Sequence, residues 1–363
     1  MSSATPAFDE ETGVEDADRR KEKRFAAIAK AASYLNVLGL GWFVPLLKMA
    51  AGDSPKHQLR ELWQLLIVPL LGILVFVGAW AVFAPQINTS LGAIPGPSQV
   101  WEQVGGLWQD HKVERDKADA FYARQDVRNQ KLIEAGREDK VKSRKYTGKP
   151  TYIDQILTSL QTVALGFVIA TLIAVPIGIA SGLSRTVNGA LNPLIQIFKP
   201  VSPLAWLPLV TMVVSALYAN QSDGMPKAMV ISAVTVTLCS LWPTLINTAL
   251  GVASIDKDLM NVSKVLRLST MTTVYKVILP SSLPLIFTGL RLSLGVGWMV
   301  LIAAEMLAQN PGLGKFVWDE FQNGSSNSLA KIMVAVLTIG LIGFLLDRVM
   351  YALQTLSTFS SSR

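Results

Sequence analysis

Three ionisable residues lie within or beside long apolar runs of this chain, namely Lys199, Arg291 and Glu305. A charge inside a bilayer is costly, so such side chains usually pair with another group or face a water-filled route. Lys199 begins its run close enough to the cytoplasmic side to extend its amine towards the interface, and Ser202 follows it with a hydroxyl. For Arg291, lining of a route and a structural ion pair are equally good interpretations. For Glu305 we favour a structural or gating role. We therefore take these four residues as the candidate lining of a polar passage.

Other kinds of chemistry find little support in the residue types. The only histidines, His57 and His111, lie outside the apolar runs, and Cys239 is the single cysteine. Neither paired carboxylates nor a metal-ligand cluster recurs at helical spacing, so an intramembrane enzyme is not predicted. The chain also lacks the glycine-lysine-serine pattern that cradles nucleotide phosphates, so energy from ATP must come from another polypeptide. We expect no enzyme activity and no cofactor in this chain.

Composition places the chain in a membrane. Half of its residues are apolar (50%), 16% are charged, and the mean hydropathy is +0.38, which a soluble domain of this length rarely shows. Six windows are long enough to cross about 30 Å of hydrocarbon. They are 63–85, 155–184, 200–218, 228–255, 285–308 and about 327–350. The predicted fold class is an all-α polytopic membrane protein with six transmembrane helices.

The distribution of lysine and arginine predicts the orientation. Basic residues cluster in 19–24, at Arg185 and in 257–276, and these positions share one side if both termini are cytoplasmic. No cleavable signal peptide is visible, so the first span is expected to serve as the insertion signal.

The windows divide the chain into five parts. Residues 1–18 are acidic and Ser/Thr-rich, which predicts disorder, and 24–52 could form an interfacial helix or pack on the inner ends of the spans. Within the outer connection, residues 112–145 mix charges of both signs, which predicts a solvated helix or hairpin and no nucleic-acid binding. The parts are a cytoplasmic extension (1–62), the first span (63–85), an extracytoplasmic segment with a charged insert (86–154), a core of five spans (155–352) and a cytoplasmic tail (353–363).

The loop 256–284 is larger than a turn between two spans requires. Leu259, Val262 and Leu266 sit at helical spacing, with Val265 and Leu268 alongside, and form a docking face that a partner could bind. A second short helix, 274–279, is expected to end at Pro280, because proline cannot continue a helix. The alternative is a loop that merely caps the bundle.

This loop resembles the cytoplasmic coupling loop of ABC importer permeases. The family pattern is Glu-Ala-Ala, three residues, Gly, nine residues, Ile, one residue, Leu-Pro. In this chain the pattern falls on Asn261, Val262, Ser263, Arg267, Val277, Leu279 and Pro280. The acidic residue and the glycine of the pattern are therefore both replaced.

Further stretches strengthen the resemblance. PGPSQVW, LNPLIQIFKPVSPLAWLPL (191–209), GVASIDKDL, LIFTGLRLSLGVGWMVLIAAEML (285–307), GLGKFVWD and IGLIGFLLDR are similar, in family order, to permeases of the nitrate, sulfonate, taurine and bicarbonate importers. The resemblance covers residue 63 to the carboxyl terminus apart from the 112–150 insert. That insert and the long amino terminus are closer to the nitrate-type members than to the shorter sulfonate-type ones.

The resemblance implies a type I ABC importer permease fold in a bacterial inner membrane. It also implies a set of partners. These are a second permease copy in a homodimer, two cytoplasmic ATPase subunits that hold ATP and Mg²⁺, and an extracytoplasmic solute-binding protein. The implied cargo is a small anion, nitrate first (or nitrite or cyanate), with sulfonate, taurine or bicarbonate as alternatives. The coupling residues would be those matched above together with Leu259, Val265 and Leu266. A secondary transporter or channel is the alternative class, but neither an ion-coupling site nor an inverted repeat is evident.

Overall fold

The computed structural model describes residues 25–29, 31–32, 35, 39–89, 92–218, 225–325 and 327–361. The predicted disordered start, 1–18, lies outside these residues. The helices are α1 (Phe43–Ala50), α2 (Pro55–Gln86), α3 (Pro97–Glu134), α4 (Tyr152–Leu183), α5 (Arg185–Phe198), α6 (Pro203–Leu217), α7 (Lys227–Ala253), α8 (Lys257–Val265), α9 (Thr270–Ala308), α10 (Leu313–Asn323) and α11 (Ser328–Ser361). Two short antiparallel strands, β1 (Asn88–Thr89) and β2 (Gly92–Ala93), follow α2.

By length and composition, α2, α4, α7, α9 and α11 can each cross a membrane. The pair α5 and α6 meets the same test together but bends by 102° at its break. The described part of the chain therefore holds five candidate spans, or six if the bent pair counts as one. The window predicted as the third span, 200–218, is only the second half of that pair, because the first half carries polar residues that a hydropathy window rejects.

Several helices extend beyond their predicted boundaries. The helix predicted at 63–85 begins at Pro55, and α11 runs through the predicted tail to Ser361, because helical hydrogen bonding continues beyond the apolar residues. The predicted stop at Pro280 is wrong. A π-helical turn over Val274–Ile278 precedes it, and such a turn accommodates a proline within a continuous helix.

The helix α7 lies at the centre of the bundle and packs along α4 and α9. Small residues allow this close approach. A Cβ on Gly166 would lie 2.8 Å from the carbonyl oxygen of Ala233, and one on Gly289 would lie 2.9 Å from the Cα of Thr244. Thr237 adds a hydrogen bond from its hydroxyl to the Gly166 carbonyl at 3.0 Å. The packing of these three helices forms the core that positions the other elements.

The charged insert forms an arm, defined as residues 112–150. Val100 and Leu107 of α3 pack against α10 and α11, while Trp101 and Trp108 point outwards, as expected for residues at a membrane interface. Beyond this base, α3 continues for about 35 Å at 1.5 Å per residue. The predicted helix is thus present, but it is accompanied by a return segment rather than by a second helix.

Hydrogen bonds tie the return segment of the arm to α3. The Tyr146 N–H donates to the Tyr122 hydroxyl at 3.1 Å, and the Tyr146 hydroxyl donates to Glu114 at 2.7 Å. The Tyr146 hydroxyl lowers the pKa of the Glu114 carboxyl, and the carboxylate in turn raises the pKa of Tyr146. At the base, His111 and the Thr151 hydroxyl lie 2.7 Å apart. The arm therefore leaves the bundle and returns to it at one place.

Candidate functional site

Lys199 and Ser202 lie three residues apart at the bend between α5 and α6. Pro200 follows the end of α5, and the Ser202 hydroxyl accepts the Leu204 N–H at 3.3 Å to cap α6. Just before the break, Ile195 packs with Ala170, Ala174, Leu241 and Leu245, which lie near the middle of α4 and α7. Lys199 is therefore deeper in the bundle than the predicted position close to the cytoplasmic side.

The aromatic rings around this break fix its position. Phe198 stacks on Trp242 of α7, with ring centroids 6.4 Å apart and an interplanar angle of 10°, and it also contacts Trp206 of α6. A cavity of about 740 Å³ opens between α4, α5 and α7, and Lys199 lines it. An exposed lysine and the amino-terminal end of a half-span thus meet at mid-bundle, an arrangement that discontinuous helices use for anions.

Arg291 of α9 makes an ion pair with Asp347 of α11. Its Nη2 lies 2.7 Å from Oδ2 and its Nε contacts Oδ1, while the Tyr351 ring centroid lies 5.6 Å from the guanidinium carbon. The pair lines a groove of about 1030 Å³ between the two helices, and each side chain is more than one third exposed. The structure thus gives Arg291 both an ion-pair partner and an open groove.

Glu305 is fully buried (0% exposed) near the end of α9. The Ser159 hydroxyl lies 2.9 Å from both carboxylate oxygens, and the Gly314 N–H donates to Oε2 at 3.0 Å. The Leu313 N–H donates to the same serine oxygen at 2.9 Å. Because these N–H groups begin α10, the carboxylate and the serine replace a conventional cap. Glu305 thereby joins α4, α9 and α10.

The docking face predicted on α8 lies at the surface. Val262 is 54% exposed, and Leu259 and Leu266 are similarly open, as is Val265 at 81%. Asn261 is also exposed, whereas Ser263 is buried and donates its hydroxyl to the Met260 carbonyl at 2.8 Å. Among the described residues nothing covers this apolar face.

The bend after α8 shows why the family pattern has a glycine at this position. Arg267, which stands where the pattern has glycine, has φ +49°, a left-handed conformation that favours glycine. After the bend, Ile278 is buried (1% exposed) while the matched Val277 is only half-buried. Leu279 and Pro280 lie half-buried within α9.

Sequence reasoning missed the partners of these residues. Asp347 and Ser159 lie 56 and 146 residues along the chain from the groups they bind, and no local pattern marks them. One missed feature did have a signal. Polar residues recur every three or four positions between Arg185 and Lys199, in a stretch that lies outside the apolar windows.

Comparison with known proteins adds a family and several relatives. Residues 174–356 match the family described as "Binding-protein-dependent transport system inner membrane component". The chain is 36% identical to the bicarbonate transport system permease protein CmpB of Synechococcus elongatus, over 80% of this chain and 88% of that protein. It is 39% identical to the nitrate import permease protein NrtB of Leptolyngbya laminosa, over 53% of this chain and 64% of that protein. An inward-facing structure of the MetNI methionine ABC transporter is 17% identical, with a TM-score of 0.44 over 55% of this chain and 94% of that one.

Proposed function

The chain belongs to the family of binding-protein-dependent transport system inner membrane components, and we propose that it is the permease through which an ATP-driven importer moves nitrate into the cytoplasm. Membership makes it an ABC importer permease with a type I fold, embedded in a membrane by several apolar helices. Family membership leaves the cargo, the orientation of the chain in the membrane and the composition of the assembly to be proposed.

The observation that carries the proposal is the position of Lys199 and Ser202 at the break of the bent span. Within the described residues no carboxylate pairs with Lys199, so its charge is free to attract an anion. The α6 amino terminus adds a positive partial charge. One cation with hydroxyl groups around it binds a singly charged anion weakly enough to release it.

Nitrate fits this passage better than a strongly hydrated anion does. The neighbouring helices offer hydroxyls and an apolar surface, and removing a hydration shell there is costly unless it is held loosely. Nitrate is held by water less strongly than bicarbonate is. The relatives named for nitrate import support the same cargo.

Bicarbonate is the second candidate, favoured by one specific observation. The permease named for bicarbonate transport matches 80% of this chain, whereas the nitrate relative matches 53%. Both anions carry one charge, so the same lysine serves either.

Energy would enter through the docking face on α8. A cytoplasmic ATPase subunit binds these exposed apolar residues, and the closing of two such subunits around ATP and Mg²⁺ swings α8 and shifts the balance between inward-open and outward-open states. We place a second copy of this chain beside the first, with a solute-binding protein on the outer face. Residues 1–62 and 353–363 then lie in the cytoplasm and the arm lies outside.

Reconstitution tests the proposal. In liposomes, the chain with its ATPase alone should hydrolyse ATP at a rate that nitrate does not change, and nitrate-loaded binding protein should raise that rate and drive uptake of labelled nitrate. Lys199→Gln should lower uptake, while Lys56→Gln, in the polar start of α2, should not. Nitrate-stimulated hydrolysis without a binding protein, or uptake of a cation, would overturn the assignment, and uptake of bicarbonate in place of nitrate would decide for the second candidate.

A further inference from the structure

We propose that one polar face of α5 forms the cytoplasmic half of the anion route, from the break at mid-bundle to the inner end of α4. This inference rests on the proposed function, because it assumes an anion that moves inwards past Lys199. The face, called the α5 polar face below, consists of Arg185, Asn188, Asn192, Gln196 and Lys199.

Spacing and cavity together define this face. Its members follow one another at intervals of three or four residues, so they share one side of a helix. All of them line the cavity of about 740 Å³, whose opposite wall is supplied mainly by Leu245, Ile246, Ala249 and Leu250 of α7. Ile195 lies on the same side of the helix, lines the same cavity and packs against apolar residues of α4 and α7. The polar side of the helix therefore faces an open space inside the fold.

The depth of α5 argues against a helix that merely lies on the membrane surface. Its start follows the Ser184 cap directly after α4 ends, and its last turn reaches Trp242 near the middle of α7. At 1.5 Å per residue this is a rise of about 20 Å. Polar side chains over that depth are costly in lipid and are expected where they line a route.

The hydrogen bonds within the face leave donors towards the cavity. The Ser181 hydroxyl donates to the Asn188 side-chain oxygen at 3.3 Å, and the Gln196 amide donates to the Asn192 side-chain oxygen at 3.2 Å. Both asparagine oxygens are thus occupied by protein donors. In the described part of the chain, no acceptor is bonded to the Nδ2 of either asparagine, so the face presents N–H groups.

The charges of the α5 polar face also favour an anion. Arg185 stands at the inner end and Lys199 at the deep end, and neither has a carboxylate partner among the residues that the structure describes. A cation at each end with amide donors between them stabilises a small monovalent oxyanion and repels a cation. The apolar opposite wall keeps each contact weak, which suits passage rather than retention.

Charge-selective labelling tests the α5 polar face without reference to the cargo. The assembled complex carries Asn192→Cys in a Cys239→Ala background and is placed in inside-out vesicles, whose outer surface is the cytoplasmic side. One sample is treated with an anionic sulfonate methanethiosulfonate reagent and another with a cationic trimethylammonium one. We expect the anionic reagent to react about ten-fold faster than the cationic one at this position, because local positive potential concentrates anions. Lys199→Gln and Arg185→Gln should each reduce that ratio. Thr186→Cys, exposed on α5 but outside the cavity, is the matched control and should show a ratio near one.

Transport gives the second arm of the test. Asn192→Asp keeps the shape of the side chain and replaces its donor by a negative charge, so uptake driven by loaded binding protein should fall at least ten-fold, while Thr186→Asp should leave it unchanged. Equal labelling rates at Asn192→Cys, or full uptake by Asn192→Asp, would overturn the inference. If the unmodified complex moves no anion, the proposed function fails instead, and the labelling ratio still reports on the face itself.

Discussion

The carboxylate of Glu305 accepts the backbone N–H of Gly314 at 3.0 Å, so a fully buried acid on α9 holds the first turn of α10. The same carboxylate binds Ser159, which in turn accepts the Leu313 N–H. Three elements thus meet on one side chain at the arm end of the bundle. Two predictions depend on this contact.

Replacing Glu305 with alanine should destabilise the protein by about 2–3 kcal/mol, because the Gly314 N–H and the Ser159 hydroxyl both lose their acceptor in a buried place. Glu305→Gln keeps one oxygen for Gly314 and should cost about 1 kcal/mol. Thermal unfolding of the purified complex in detergent measures both. Glu102→Gln, at an exposed position of α3, is the control. An unchanged melting temperature of the Glu305→Ala protein would show that the carboxylate does not stabilise the start of α10.

Gly314 should tolerate no side chain. A Cβ there would lie 2.1 Å from the Ile302 carbonyl oxygen, so Gly314→Ala must displace α10 from α9 and should cost about 1–3 kcal/mol. Gly340→Ala is the matched control, since nothing lies within 4 Å of its added Cβ and alanine favours a helix. The same unfolding measurement applies, and equal stability of the two variants would speak against the packing of α10.

Arg291 and Asp347 should behave as a coupled pair. Arg291→Ala leaves Asp347 without its partner, and we expect lower uptake that Arg291→Lys restores in part. If the pair serves to hold α9 against α11, Asp347→Ala should have the same effect and the double variant should recover, with a coupling of up to about 1 kcal/mol because both groups are partly exposed. A double-mutant cycle on stability and uptake measures it. If the effects of the two single substitutions simply add in the double variant, Arg291 acts by lining the groove and not through its ion pair with Asp347.

Arg267 should be replaceable by the glycine of the family pattern. Its φ of +49° is strained for a side-chain residue and free of strain for glycine. Arg267→Gly should therefore be at least as stable as the parent, whereas Arg267→Val, with a β-branched side chain, should be less stable by about 1–2 kcal/mol. Unfolding of the isolated chain compares the three. A valine variant more stable than the glycine variant would show that residue 267 does not adopt a left-handed conformation.

The docking face should tolerate no charge. Val262→Asp or Leu266→Asp would bury an unpaired carboxylate against the ATPase, at a cost of several kcal/mol (about 2–7), so uptake and copurification of the ATPase should both be lost while membrane insertion is kept. Asn261→Glu, which introduces the acidic residue of the family pattern at an exposed site, is the control and should bind normally. Normal transport by either aspartate variant would exclude α8 as the coupling element.

The sequence allowed prediction of features that depend on neighbouring residues. Apolar windows located the spans, and the spacing of Leu259, Val262 and Leu266 gave an exposed face on α8. Lys199 was predicted close to the cytoplasmic side but lies near mid-bundle, because a hydropathy window does not show that a polar helix can rise into a bundle. The contact between Ser159 and Glu305 joins residues 146 positions apart, and only the packing of α4 against α9 brings them together.

The junction of His111 and Thr151 has a consequence for how this protein can change. Because the side chains of His111 and Thr151 lie within 2.7 Å of each other, the 112–150 arm is an insertion whose two ends lie side by side. The entropy of closing such a loop grows only slowly with its length, so the arm can be shortened, extended or exchanged for a foreign domain without altering the distance that the core must span. The junction is therefore a natural site for grafting a rigid marker for imaging, and a place where related chains can differ in length at little cost to folding.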